Sequence, residues 1–135
     1  MGTIVQKMSK AFTELQPDLI VLISDRFETL AAAVAASPFT IPIVHIACGV
    51  VTEGAIDDKM RHAVTKLSHL HFPVDEIGAA NLRAMGEEEW RITVSGSMAM
   101  DLLKSEAAYS QEELGKLLGI DFLQGVILFV YHPVT

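Results

Sequence analysis

The sequence predicts an α/β protein in which helices flank an open, Rossmann-like parallel sheet. Short apolar runs rich in β-branched residues alternate along the chain with amphipathic or alanine-rich segments. Continuous apolar runs are typical of strands that are covered on both faces of a parallel sheet. Right-handed helical crossovers join such strands, so the alternation predicts helices on both faces of the sheet.

The first half of the chain alternates between helical and strand patterns. Apolar residues spaced three or four apart precede "QPD", and "LIVLIS" and "IPIVHIA" are apolar runs suited to buried strands. "RFETLAAAVAAS" is alanine-rich and is followed by a proline, as expected for a helix. The predicted elements are a helix at 4–15, strands at 19–24 and 41–47, and helices at 26–37 and 56–70.

The second half of the chain continues the same alternation. "HFPV" predicts a third strand, "DEIGAANLRAMG" a helix with a glycine stop, and "RITVSG" a fourth strand that ends in a glycine loop. "GVILFVYHPVT" predicts one more strand, with no helix after it. We therefore expect the chain to be part of a larger protein.

Polar and glycine-containing segments follow several of the predicted strands. In open parallel sheets, ligands bind beyond the carboxyl ends of the strands. Asp25, residues 47–54, Gly96 and Ser97 would lie at that edge of the sheet. The sequence therefore predicts a ligand site there.

Composition narrows the class of partner. The 135 residues suit one compact unit with a buried core, and the formal net charge of −7 argues against nucleic acid or an anionic membrane as the main partner. The single cysteine cannot form an internal disulfide, which favours a reducing compartment. The sequence has neither an apolar run of membrane-spanning length nor a signal-peptide core, so we expect a cytoplasmic protein.

Three stretches of the chain resemble the UDP-N-acetylglucosamine 2-epimerase family. They are "SDRFETLAAAVAA", "IPIVHIACGVVTEGAIDDKMRHAVTKLSHLHF" and "YHPVT". The second stretch is similar to the hydrolysing, sialic-acid-pathway branch. The resemblance implies a partial glycosyltransferase-B-type protein: a partial N-terminal Rossmann-like domain at 1–103, a linker at 104–124, and the first strand of a truncated C-terminal nucleotide-binding domain at 125–135.

The resemblance also implies a reaction. UDP-N-acetylglucosamine would lose UDP by elimination, and water would add to the unsaturated sugar to give N-acetylmannosamine. No cofactor is implied, and a homo-oligomer is expected. The spacing of His62, His69 and His71 does not match that of zinc-binding helices, so we expect no metal site. Two alternatives remain open, a non-hydrolysing epimerase and a non-catalytic module that binds sugar nucleotides or serves in assembly.

Two aspartates are assigned to catalysis by the resemblance. Asp25 matches the catalytic aspartate of the family's D-R-F-E motif, and Asp57 matches a second acidic position. From the residues alone, both also suit helix starts, where a carboxylate accepts hydrogen bonds from free amides. Asp58 is interpreted as such a helix-start residue.

Five further residues are predicted to contact the substrate. They are Arg61, His62, Gly96, Ser97 and His132. A guanidinium can hold either a carboxylate or a phosphate through two donors, and His132 matches the family's His-Pro motif. His62 equally suits a surface histidine, and Gly96 with Ser97 equally suits a tight turn.

The loop after the second strand departs from the family pattern. Ala47 stands where family members carry a catalytic Glu or His, Cys48 replaces a glycine, and Val50 replaces an acid. A methyl group cannot transfer a proton, and an unactivated thiol is mostly protonated at neutral pH. We therefore expect little or no turnover from residues 1–135 alone.

Overall fold

The computed structural model describes residues 1–23, 25–105 and 108–131. The chain divides into two compact units, the first covering Met1–Ser97 and the second beginning at Met98. Across the described ranges, no helix is both long and apolar enough to cross a bilayer.

The first unit contains a three-stranded parallel sheet with strand order β1-β2-β3. Its elements are α1 (Gly2–Leu15), β1 (Ile20–Ile23), α2 (Phe27–Ala36), β2 (Ile43–Cys48), α3 (Ile56–Leu67), β3 (Leu70–Pro73) and α4 (Glu76–Ala84). Neighbouring strands are joined through α2 and α3, as expected for parallel crossovers. This arrangement confirms the predicted α/β class, a parallel sheet flanked by helices.

The core of the first unit is built around the small side chains of α2. Because alanine ends at Cβ, α2 can lie close to both α1 and α3, which it contacts. Phe12, Leu22, Ile43 and Val64 fill the space around it. The buried alanines of α2 are Ala31, Ala32, Ala33, Ala35 and Ala36.

Strand β1 is buried on one face only. Leu22 points into the core, whereas Val21 and Ile23 are each about half exposed. The prediction that this strand is covered on both faces is therefore wrong for the described residues. Its apolar run reports β-propensity but does not tell how many faces are covered.

The predicted fourth strand does not form a regular ladder. A 3-10 turn at Glu89–Arg91 precedes it, and only Ile92 makes a parallel bridge, to His71 of β3. The amide of Thr93 also donates to the carbonyl oxygen of His71 at 2.9 Å. The segment thus follows the edge of the sheet but makes too few paired bonds to count as a strand.

The second unit is described by two short helices, α5 (Met98–Ser105) and α6 (Gln111–Leu118). At the start of α6, the Ser110 hydroxyl accepts the amide of Glu113 while the Glu113 carboxylate accepts the amide of Ser110. The predicted strand that begins near residue 125 is wrong for residues 125–131, which form no regular element. A strand needs a neighbour to pair with, and the described part of this unit supplies none. The domain boundaries at residues 103 and 124 remain predictions.

A buried carboxylate, Glu87, contacts the side chains of Lys66, Arg91 and His71, of which His71 belongs to β3. The Glu87 side chain is only 3% exposed. Its oxygens accept from Lys66 Nζ at 2.6 Å and His71 Nε2 at 3.0 Å, and Arg91 Nη1 lies 3.3 Å away. Burial alone would raise the pKa of Glu87, but the hydrogen bond from Lys66 and the neighbouring His71 hold it below its ordinary value.

Arg91 of the same cluster also binds the backbone just after α3. Arg91 donates to the carbonyl oxygens of Ser68 and His69, at 2.5 and 2.6 Å, just beyond the last turn of that helix. Burial lowers the pKa of His71, although the charge of Glu87 opposes the shift. His71 is therefore neutral at pH 7 and donates to Glu87 through Nε2.

Acidification is expected to destabilise the first unit in two stages. Because the pKa of His71 is lower in the folded state, its contribution is complete above about pH 6.5 and is lost as the pH falls below that value. Glu87 contributes above about pH 4.5, and this contribution is lost as the pH falls through its lowered folded pKa. The free energy of unfolding, measured by urea titration at a series of pH values, checks both stages. A value that stays constant down to about pH 4 would contradict the prediction.

Candidate active site

The carboxyl edge of the sheet brings together Asp25, which follows β1, and the first turns of α3. Strands β1 and β2 are parallel neighbours, so their carboxyl ends lie side by side. From α3, Arg61 reaches across to Asp25, and its Nη2 donates to the Asp25 carboxylate in an ion pair. Residues separated by 36 positions thus meet at one rim.

Both predicted catalytic aspartates lie within electrostatic reach of one exposed arginine. The pKa of Arg26 is raised, mainly by the hydrogen bond and charge of Glu28, and in smaller part by the charges of Asp57 and Asp25. Asp57 is partly exposed on the first turn of α3. Asp57 and Asp25 thus each act electrostatically on Arg26, and the assignment of both to one site remains a prediction.

Arg61 forms the buried centre of this rim. Its side chain is 6% exposed, although arginine is seldom buried without partners. Nη1 donates to the Val50 carbonyl at 2.6 Å and to Thr52 Oγ1 at 3.2 Å, and it lies 3.4 Å from an oxygen of Asp58. The same Asp58 oxygen accepts the amide of Thr52 at 2.9 Å. One guanidinium thus holds the loop after β2 and Asp25 together.

The loop after β2 is held from a second side by α4. Gly49 has a φ of 76°, and a Cβ at this position would lie 2.3 Å from the carbonyl oxygen of Gly78. The Asn81 side-chain amide donates to the carbonyl oxygen of Gly49 at 2.8 Å. Only glycine allows so close an approach in this left-handed conformation. Ala47, two residues earlier, also has a positive φ, of 58°, which is uncommon for a residue with a side chain.

The whole chain, residues 1–135, matches the family model described as UDP-N-acetylglucosamine 2-epimerase. The chain belongs to this family. Family members are enzymes, and the match covers both aspartates and the loop between them. The predicted family is thereby confirmed.

Curated relatives and a solved structure agree with this assignment. The chain is 38% identical over 135 residues to the GDP/UDP-N,N'-diacetylbacillosamine 2-epimerase (hydrolyzing) of Campylobacter jejuni, covering 100% of this chain and 35% of that protein. It is 31% identical over 135 residues to the UDP-N-acetylglucosamine 2-epimerase of Neisseria meningitidis, again covering 100% of this chain and 35% of that protein. The chain therefore spans about a third of the length of these relatives. A crystal structure of UDP-GlcNAc 2-epimerase from Neisseria meningitidis bound to UDP-GlcNAc matches with a TM-score of 0.71 and 26% identity, over 75% of this chain and 28% of that chain.

The other residues predicted to contact substrate in this epimerase-family chain, where the structure describes them, do not take part in the bonds around Arg61. His62 is partly buried on α3, with Nε2 3.6 Å from an oxygen of Asp58. Gly96, with a φ of 78°, and Ser97 follow the segment beside β3, so they come after the carboxyl end of that strand. His132 lies outside the described residues.

Cys48 is not suited to take the place of the acid that the resemblance implies for this loop. Its side chain is buried at the end of β2, and its Sγ donates to the carbonyl oxygen of His45 at 3.4 Å. Burial raises the pKa of the Cys48 thiol to about 11. The thiol is therefore protonated at neutral pH and is a poor base.

The sequence assigns no contact at this rim to three residues, Asp58, Thr52 and Asn81, although Thr52 lies within the predicted segment 47–54. Asp58 is interpreted as a helix-start residue, although its spacing of three from Arg61 is a signal that the two can pair. Thr52 and Asn81 carry no such signal, because their partners are close only after the loop has packed against α3 and α4.

Proposed function

We propose that this chain carries the acid and base residues of a hydrolysing UDP-N-acetylglucosamine 2-epimerase. The observation that supports this most directly is the placement of Asp25, held by buried Arg61 at the carboxyl edge of a parallel sheet, in a chain of this family. Asp57, in the first turn of α3, is the proposed second member of the pair. Ligands bind at such edges in open α/β sheets.

The proposed reaction has two steps. A base removes the proton from C2 of the sugar while the bond between C1 and the departing UDP oxygen breaks, which leaves a double bond between C1 and C2. Water then adds its hydroxyl to C1, and a proton is returned to C2 on the opposite face, giving N-acetylmannosamine. Carboxylates at hydrogen-bond distance are suited to both proton transfers, and Asp25 and Asp57 are the proposed pair.

The two relatives differ in the sugar nucleotide for which they are named. The Campylobacter jejuni relative, at 38% identity, is named for diacetylbacillosamine nucleotides, and the Neisseria meningitidis relative, at 31%, for UDP-N-acetylglucosamine. The higher identity favours testing UDP-N,N'-diacetylbacillosamine as an alternative substrate. Product analysis separates the hydrolysing enzyme, which releases UDP, from a non-hydrolysing one, which keeps the nucleotide on the epimerised sugar.

Ala47 has no side chain that could transfer a proton. The rival proposal is therefore a non-catalytic module that binds sugar nucleotides or serves in assembly. Restoring a carboxylate with Ala47→Glu in the full gene product tests it. UDP release that appears or rises supports the enzyme, whereas sugar-nucleotide binding without turnover in both forms supports the module. Assembly as a homo-oligomer and a cytoplasmic location are proposed alongside the enzyme.

Replacing Asp25 with Asn in the full gene product is expected to lower the rate of UDP release from UDP-N-acetylglucosamine by about a hundredfold or more, because a carboxamide cannot transfer the proton. Asp18→Asn is the matched control, since Asp18 is an exposed aspartate before the other end of β1 and should leave the rate unchanged. A coupled assay for free UDP measures both. Equal rates for Asp25→Asn and the unmodified protein would exclude Asp25 as acid or base.

A further inference from the structure

We infer that Arg61 is a positioning residue for Asp25, and that it does not contact the phosphates of the substrate. The inference rests on the proposed function, in which Asp25 transfers a proton. It assigns to Arg61 a task different from the substrate contact that sequence reasoning predicts.

The first observation is that both Nη atoms of Arg61 already have protein partners. Nη2 is bound to the Asp25 carboxylate, and Nη1 donates to the Val50 carbonyl at 2.6 Å and to Thr52 Oγ1 at 3.2 Å. With 6% of the side chain exposed, little of the guanidinium is open to a phosphate, and a phosphate at either Nη atom would compete with these partners. The carbonyl of Val50 and the carboxylate of Asp25 would then lose strong, charge-assisted bonds.

The second observation is the local charge. Asp25 and Asp58 both lie against the Arg61 guanidinium, and Asp57 is next to Asp58 in the same helical turn. Three carboxylates therefore accompany one buried guanidinium. The carboxylates outnumber the guanidinium, so the cluster as a whole has no net positive charge to attract a pyrophosphate.

The third observation is that Arg61 fixes two independent segments with one rigid group. The planar guanidinium places its two Nη atoms in a fixed relation, so the Asp25 carboxylate and the loop at Val50 and Thr52 are held in register. A lysine offers a compact charge without this fork. Proton transfer depends steeply on the placement of the base, so loss of the fork would slow the reaction without weakening substrate binding.

The closing experiment compares Arg61→Lys and Arg61→Gln with Arg26→Gln as the matched control. Arg26 is exposed, lies next to Asp25 in sequence and is paired with Glu28. In the 135-residue protein, the carboxyl carbon of Asp25 is followed by NMR with aspartate-labelled protein. Arg61→Gln is expected to move this resonance most, Arg61→Lys less, and Arg26→Gln least. An unchanged Asp25 resonance in both Arg61 variants would overturn the inference. If Arg61→Gln unfolds, Arg61→Lys serves as the comparison, because it keeps the positive charge.

A kinetic measurement in the full gene product separates positioning from phosphate binding. Arg61→Lys is expected to lower kcat about tenfold or more and to leave KM for UDP-N-acetylglucosamine within about threefold. A rise in KM with kcat preserved would show that Arg61 binds substrate, and would overturn the inference. If the unmodified protein neither binds nor turns over the sugar nucleotide, the proposed function fails, while the Asp25 resonance still decides whether Arg61 positions that carboxylate.

Discussion

The Glu87→Ala variant is expected to lose about 3 kcal/mol of unfolding free energy, because removing one partner of a buried charge cluster leaves the other charges uncompensated. Glu87 accepts from Lys66 and His71, and Arg91 lies beside it. Lys66 is half exposed and can return to water, which limits the loss. Arg91 and the fully buried His71 cannot be hydrated to the same extent.

The matched control for Glu87→Ala is Glu89→Ala. Glu89 also accepts from an arginine, Arg83, at 2.6 Å, but both side chains are exposed. Exposed ion pairs contribute little, so this variant should unfold at nearly the same urea concentration as the unmodified protein. Equal losses of unfolding free energy in the two variants would show that the buried Glu87 cluster stabilises the fold no more than an exposed ion pair.

The Gly49→Ala variant is expected to lose about 2–4 kcal/mol, because two penalties act at once. The added Cβ would lie 2.3 Å from the Gly78 carbonyl oxygen, a backbone atom that cannot turn away, and the φ of 76° is unfavourable for alanine. The loop would have to move away from α4, breaking the bond from Asn81. Thermal unfolding measures the loss.

Gly54→Ala separates the two penalties. Gly54 has a similar φ of 80°, but no atom lies within 4 Å of the position that its Cβ would take. Only the left-handed conformation is then unfavourable, which amounts to about 1 kcal/mol. If both variants lose the same amount, the contact between Gly49 and Gly78 contributes nothing to the rigidity of the loop.

Local patterns predicted most of the fold of the first unit. The alanine-rich α2 and the amphipathic α3 repeat at helical spacing, and β2 is an apolar run that is buried on both faces over Ile43 and Val44. These features depend on residues close together in sequence, so the sequence carries them. Strand β1 and the segment after residue 125 have equally apolar sequences but differ in what lies beside them. Which segments pack beside a strand is set by the tertiary fold, and the local apolar pattern does not encode it.

The sequence predicts that Asp25 and α3 lie at one edge of the sheet, but it does not predict the bonds between their side chains. Asp25 and α3 could be placed at one edge because parallel strands end together. The pairing of Arg61 with Asp25 instead of a ligand depends on the depth of burial of the guanidinium, which no spacing rule supplies. The approach of Asn81 to Gly49 likewise depends on how α4 packs against the loop.

The bond between Arg61 and Asp25 closes a stretch of chain that contains all of α2 and β2. Closing so long a stretch costs chain entropy that only a docked helix and a paired strand can offset. We therefore expect the carboxylate to be aligned after the hydrophobic framework has assembled. A partly folded molecule would keep its helices yet lack an oriented carboxylate at this edge of the sheet.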